Sequence, residues 1–216
     1  MNKINTVIMR YKKFNNQLSE LTKNYGSDKG SPIDNDTSIS GWQTHLYSDI
    51  YHMIFFGMRD SVKNLLEIGL GTNNEDVPSN MRSTGHPGAS LRAFRDYFPN
   101  ASIYGADIDS RVLFEEDRIK TYYVAQPDKD SISSMLWSTG VDEFDIILDD
   151  GLHTASAAIT LLEHSFYKLK SGGIYIIEDV MYHWQEVKTY LEGNGYNFIH
   201  VDFSNDASQI FIIFKD

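Results

Sequence analysis

Two short acidic stretches have the residue types and spacing for chemistry. Asp149-Asp150-Gly151-Leu152-His153 closes one apolar run, Phe144 to Leu148, and Glu178-Asp179 closes another, Ile174 to Ile177. At the ends of neighbouring strands, about 5 Å apart, these four carboxylates would converge and repel one another. Such a group either takes up protons or holds a cation. Oxygen donors suit Mg2+, with Mn2+ or Ca2+ as alternatives, better than zinc. The chain has no cysteine, which removes thiolate metal sites, iron–sulfur clusters, disulfides and cysteine nucleophiles. His153, three residues after Asp150, is the favoured base for removing a proton from a hydroxyl that the cation binds and acidifies. His183, in Tyr182-His183-Trp184, is its rival. Either acidic pair alone would read as a solvated strand end; their pairing beside a second motif is what points to a metal.

That second motif is Leu65-Leu66-Glu67-Ile68-Gly69-Leu70-Gly71, an apolar strand running into a glycine turn. Glycines at 69 and 71 let a ligand approach the backbone. Asn74 stands where a dinucleotide-binding turn has its third glycine, and a pyrophosphate needs that helix terminus. Glu67 suits a ligand bearing an ammonium or hydroxyl group better than a phosphate. Asp107, closing Ser102 to Ala106, can accept the ribose hydroxyls of an adenosine. The set therefore predicts S-adenosyl-L-methionine (SAM) rather than NAD. Residues 73 to 87 read as an inserted surface loop near the site, and Ser90 as a candidate cap for the helix that follows.

The elements that must position these groups alternate. Val62 to Ile68, Ser102 to Ala106, Thr121 to Ala125, Phe144 to Leu148 and Ile174 to Ile177 read as strands, with helices at Leu91 to Tyr97 and Thr154 to Leu169. Alternation of this kind predicts a parallel sheet. Phe198 to Phe203 and Gln209 to Phe214 are joined by a connection too short for a crossover, so that pair must be antiparallel. The expected fold is α/β: a Rossmann-like, seven-stranded, mostly parallel sheet ending in an antiparallel hairpin, over residues 61–216. Residues 1–60 read as an N-terminal helical cap. Ile4, Val7, Tyr11, Phe14, Leu18 and Leu21 predict an amphipathic helix over 2–22, either lying on the surface or, because its spacing resembles a coiled-coil seam, making a subunit contact in a homo-oligomer. Tyr25 to Ser40 reads as a loop, and Trp42 to Met58 as a second helix.

The 216 residues are 41% hydrophobic, enough for one substantial core. No apolar run is long enough to span a membrane, and Met1 to Lys13 lacks the apolar stretch of a secretory signal, so a cytoplasmic location is expected. A net charge of −11 with no basic patch opposes nucleic-acid partners.

In order along residues 25 to 180 the chain resembles the metal-dependent sugar O-methyltransferases of macrolide biosynthesis and the related proteins labelled cephalosporin hydroxylases. The matching segments include Tyr25-Gly26-Ser27-Asp28-Lys29-Gly30, His45-Leu46-Tyr47, Leu66-Glu67-Ile68-Gly69, Gly88-Ala89-Ser90-Leu91-Arg92, Tyr104-Gly105-Ala106-Asp107, Asp149-Asp150-Gly151-Leu152-His153 and Gly172-Gly173 through Glu178-Asp179. The resemblance implies metal ligands at Asp150, Glu178 and Asp179, a base at His153, and SAM contacts at Glu67, Gly69 and Asp107. It further suggests that Tyr25 to Lys29, and Tyr47, close over the donor or substrate. The chain departs from the pattern at Leu152, where Ser is common, and at Ala125-Gln126, where Asp-Gln is common. That leaves Gln126, Asp128 and the neighbouring Asp149 as candidates on the donor side.

The resulting expectation is a SAM- and metal-dependent O-methyltransferase acting on a sugar hydroxyl of a small molecule or glycan, in a glycan, capsule or secondary-metabolite pathway. Two rival readings share the fold: a metal-dependent hydroxylase-like enzyme, which the missing two-His-one-carboxylate set opposes, and a SAM-binding protein without catalysis.

Overall fold

The computed structural model describes residues 6–8, 15–30, 45–180, 182–203 and 209–216. One nine-stranded sheet runs through them. In chain order its strands are β1 (Thr6–Ile8), β2 (Asn64–Ile68), β3 (Ser102–Asp107), β4 (Glu115–Glu116), β5 (Ile119–Tyr123), β6 (Phe144–Asp149), β7 (Leu169–Glu178), β8 (Asn197–Asp202) and β9 (Gln209–Phe214). The helices are α1 (Gln17–Tyr25), α2 (Tyr47–Phe55), α3 (Ala89–Tyr97), α4 (Lys129–Thr139), α5 (Ala155–Ser165) and α6 (Trp184–Gly193).

Across the sheet the order is β1-β8-β9-β7-β6-β2-β3-β5-β4. The seven strands from β8 to β5 are the expected framework, parallel except where β9 lies antiparallel between β7 and β8. Two edge additions extend it: β1 pairs parallel with β8, and the two-residue β4 pairs antiparallel with β5. Residues 6–8 correct the expected N-terminal helix. Thr6-Val7-Ile8 is a β-branched run, and these stiff side chains favour a strand wherever an edge is open to receive one. The helix begins only at Gln17. Asn16 caps it, accepting from the Ser19 backbone N–H while the Ser19 hydroxyl reaches back, and Gly26 ends it in the left-handed conformation. The seam over 2–22 therefore loses its basis, and its remaining residues before position 15 lie outside the described ones, as do residues 31–40 of the expected loop, Trp42 and the 204–208 connection.

Alternation along the strands divides the core. Leu65, Ile103, Ile146, Leu148 and Ile176 face α2 and α3, packing with Tyr47, Tyr51, Phe55 and Phe94. Leu66, Ile147, Tyr175 and Ile177 face the other way, onto Ile132 and Leu136 of α4, Leu161 and Leu162 of α5, and Val187 of α6. A sheet buried on both faces is a rigid platform. Its switch point lies at β2, between β3 on one side and β6 on the other, and ligands in open α/β sheets bind beyond the carboxyl ends there. Among the described residues no helix is long and apolar enough to cross a membrane.

Candidate active site

The carboxyl ends of β2, β3, β6 and β7 deliver the residues singled out in the sequence. Register places Ile68 beside both Ala106 and Asp149, and Asp149 beside Ile177. The glycine turn, Asp107, Asp149-Asp150 and Glu178-Asp179 thus rise from four adjacent strands. A cavity of about 660 Å³ opens above them, lined by Gly69, Gly71, Asp107, Gln126, Asp150, His153, Asp179 and Lys29 among others. The insertion forms one wall, through Val77 to Met81, Gly85 and His86.

Gly69 and Gly71 have φ of +93° and +75°, a region that L side chains rarely adopt. A Cβ on Gly69 would strike the Asp150 backbone, so the glycine also lets β2 and β6 turns touch. Asp107 holds the glycine turn: one carboxylate oxygen accepts Leu70 N–H at 2.7 Å and the other Asp109 N–H at 2.8 Å. Burial nonetheless raises its pKa, the backbone hydrogen bonds opposing. Asp109 in turn takes Thr72 Oγ1, Asn74 Nδ2 and Arg111. Gln126 spends both ends of its amide inside the protein, donating to Asp149 at 2.7 Å and accepting Leu152 N–H at 2.7 Å.

The ends of β6 and β7 are more crowded. Lys29 Nζ, 3% exposed, lies 2.5 Å from Asp150 Oδ2, 2.6 Å from Glu178 Oε2 and 3.4 Å from Glu67 Oε1. Tyr51 O–H donates to the other Glu178 oxygen and Tyr47 O–H to Asp179 Oδ1. His45 stacks on Tyr47 with ring centroids 4.7 Å apart and reaches within 3.6 Å of Asp179 Oδ2. His153 Nε2 is 3.1 Å from Asp150 Oδ1. Asp150, His153 and Asp179 bring one ligand atom each within 4.8 Å of one another. His153 and Asp179, at the two strand ends, both have positive φ, +59° and +56°, a costly conformation for non-glycine residues that clusters at functional sites.

Burial and crowding shift the charges of this group in opposite directions. Burial pushes Glu67 and Asp149 each up to about 7 and Glu178 well above the usual carboxylate range, Lys29 only partly opposing it. Against burial, Lys29 and His153 hold Asp150 low. Burial would lower Lys29, but Asp150, Glu178 and Glu67 outweigh it and hold the ammonium well above its ordinary value. Burial likewise pulls His153 down, yet its hydrogen bond to Asp150 and the surrounding carboxylates leave it raised to about 9. Five carboxylates packed round two cationic side chains resist full ionisation, and a divalent ion is one way to relieve such crowding.

Other predicted residues stand elsewhere. Tyr25 hydrogen-bonds Asp96 at 2.5 Å and Arg95 at 3.0 Å, tying α1 to α3 rather than lining the cavity. Asp149, Glu67 and Glu178 lie behind the cavity wall, 3%, 0% and 1% exposed. Tyr47 is fully buried and meets the site through Asp179 and the His45 ring. Ser90 does not cap α3, whose start is Gly88 with no side-chain cap; it donates instead to Glu67 Oε2 at 2.7 Å. His183 pairs with Glu186 at 3.3 Å on the surface, away from the cavity lining, whereas His153 lines it. Tyr51 and His45 also belong to the site: Tyr51 stands one turn after Tyr47 on α2, a spacing readable in the sequence, whereas His45, two residues before Tyr47 and outside the helix, carries no such signal.

No family model matches the chain. It is 29% identical over 163 residues to the 8-demethyl-8-alpha-L-rhamnosyl tetracenomycin-C 2'-O-methyltransferase of Streptomyces olivaceus, covering 76% of this chain and 37% of that one. It is 32% identical over 166 residues to the mycinamicin VI 2''-O-methyltransferase of Micromonospora griseorubida, covering 76% and 36%. The chain is a homologue of sugar O-methyltransferases. Its match spans just over a third of the length of these curated relatives. Among solved structures, the MycE methyltransferase of the mycinamycin pathway, in complex with Mg, SAH and mycinamycin VI, superposes with a TM-score of 0.68 at 24% identity, over 93% of this chain and 54% of that one. The chain shares the Rossmann-like α/β fold of that methyltransferase, as its motifs implied.

Proposed function

We propose that this protein transfers a methyl group from SAM to a sugar hydroxyl of a small-molecule or glycan acceptor, with a divalent cation, Mg2+ in the first instance, held by Asp150, Glu178 and Asp179. The observation that supports this reading best is the convergence of Asp150, His153 and Asp179 on the cavity that also receives the glycine turn and Asp107. The donor set fits the ion: it is built of carboxylate oxygens, and an ammonium already rests 2.5–2.6 Å from two of the three proposed ligands as a stand-in cation. When bound, the cation would supply Lewis acidity to the acceptor hydroxyls.

The chain's own residues do the rest. Gly69 and Gly71 admit the donor close to the backbone, Glu67 stands behind them, and Asp107 faces the ribose. Gln126 and Asp149 support the β6 turn, Tyr47 braces Asp179, and Lys29 holds Asp150 and Glu178 together without an ion. His153 takes the hydroxyl proton as the oxygen attacks the methyl carbon. It can do so only as a neutral imidazole, and its pKa of about 9 is set by Asp150, so a base role requires Asp150 to turn its charge elsewhere. The cytoplasm and a homo-oligomeric state complete the proposal.

Methyl transfer from labelled SAM to rhamnosylated or other deoxysugar-bearing acceptors, with Mg2+ and with EDTA, tests it. Transfer that survives EDTA undiminished refutes the metal's part, and no transfer to any glycosylated acceptor refutes the acceptor class.

A further inference from the structure

Lys29 sits where the proposed metal belongs. Its side chain comes from the turn after α1, far in sequence from the carboxylates it joins, and is 3% exposed. The ammonium touches Asp150 Oδ2 at 2.5 Å and Glu178 Oε2 at 2.6 Å. Mg2+ binds oxygen at about 2.0–2.1 Å and Ca2+ at about 2.3–2.6 Å. An ion bridging these two oxygens from the side that Nζ now takes would overlap it, so on that side the two cations are mutually exclusive. The other Glu178 oxygen already accepts from Tyr51 O–H, which leaves the oxygen under Lys29 as the less occupied of the two. A receiving acceptor is at hand: Glu67 Oε1 is buried, 3.4 Å from Nζ, and has no hydrogen bond of its own. The four-carbon lysine stem is flexible enough for so short a move.

We infer that Lys29 is a tethered competitor for the divalent ion, holding Asp150 and Glu178 together and passing to Glu67 when the ion enters. This rests on the metal reading above and makes Lys29 a positioning residue that couples the metal side to the donor-side glutamate. An ammonium that leaves two carboxylates for one makes metal affinity lower than the same ligands would give without it.

The test uses the full chain. Calorimetry with Mn2+ on the wild type and on Lys29→Met should show the variant binding at least tenfold more tightly. In 15N-lysine-labelled wild type, the buried Lys29 ammonium resonance should shift on saturation with Mg2+, while exposed lysines stay in place. This second measurement decides the matter if the variant does not fold. Wild type that binds metal with Lys29→Met no tighter overturns the inference and leaves the metal reading intact, as does an ammonium signal that does not move. If neither protein binds Mn2+, the metal reading falls and this inference with it.

Discussion

Two clusters of strand-end carboxylates share one cavity and are built differently. On the donor side, Asp107 and Asp109 are satisfied by fixed partners: backbone N–H groups of Leu70 and Asp109, the Thr72 hydroxyl, Asn74 and Arg111. On the metal side, Asp150, Glu178 and Asp179 lean on side chains that can move or ionise: Lys29, His153, His45 and two tyrosines. The first arrangement is a frame whose loss distorts a turn. In the second, burial pushes Glu178 up while Lys29 and His153 hold Asp150 down, and the partners are ionisable side chains rather than backbone. The difference suggests that donor binding and metal binding are separable.

The strongest way to break that comparison is Asp150→Asn or Asp179→Asn. Each should cut methyl transfer by about 1,000-fold or more, about 4 kcal/mol of barrier, while calorimetry shows SAM affinity within about twofold of wild type. Loss of SAM binding in parallel would mean that the two halves are one site.

Next in size is the base. His153→Ala should lower kcat by about 100-fold or more, and His183→Ala should leave it unchanged, since His183 pairs with Glu186 outside the cavity lining. Steady-state kinetics on both variants decides between them.

Asp107→Asn sharpens the donor side. An amide nitrogen cannot accept the N–H of Leu70 or Asp109, so one buried donor is orphaned at about 1–3 kcal/mol. The expected result is a SAM dissociation constant raised about tenfold, with Mn2+ affinity unchanged by calorimetry.

The smallest effect concerns Asp149. Its carboxyl is pushed up to about 7 by burial, against about 4 in an unfolded chain. A raised pKa means that the folded state binds the proton more tightly. This stabilising contribution is complete below about pH 4 and is lost as pH rises through about 7. Asp149→Asn should therefore flatten the fall in Tm between pH 5 and pH 8, by about 2–4 °C for each kcal/mol of linkage removed. A slope identical to wild type would show that Asp149 does not titrate in this range.

Much of this was legible in the chain. Strand ends announce themselves because an apolar run stops at a glycine or an acidic residue, as at Ile68-Gly69 and Leu148-Asp149, and the sheet order then brings those ends together. What periodicity could not give was the partner of each group. Lys29 looked like part of a loop closing over the donor; only tertiary packing shows its ammonium among the metal-side carboxylates. Tyr25 shares that segment yet points to Asp96, because the turn at Gly26 separates the two directions. Val7 fitted a helical spacing with Tyr11 and Phe14, but β-branched neighbours and the open edge at β8 decided its conformation. The helices α4 and α6 escaped notice because serines and charged residues break their apolar spacing, although Asp128 caps α4.

The most direct test of the central claim is a calorimetric titration of SAM into the protein, once with Mg2+ and once with EDTA. The account predicts binding at about micromolar affinity in both, with methyl transfer to a glycosylated acceptor only in the first. No SAM binding under either condition would contradict it, leaving the fold without the function proposed for it.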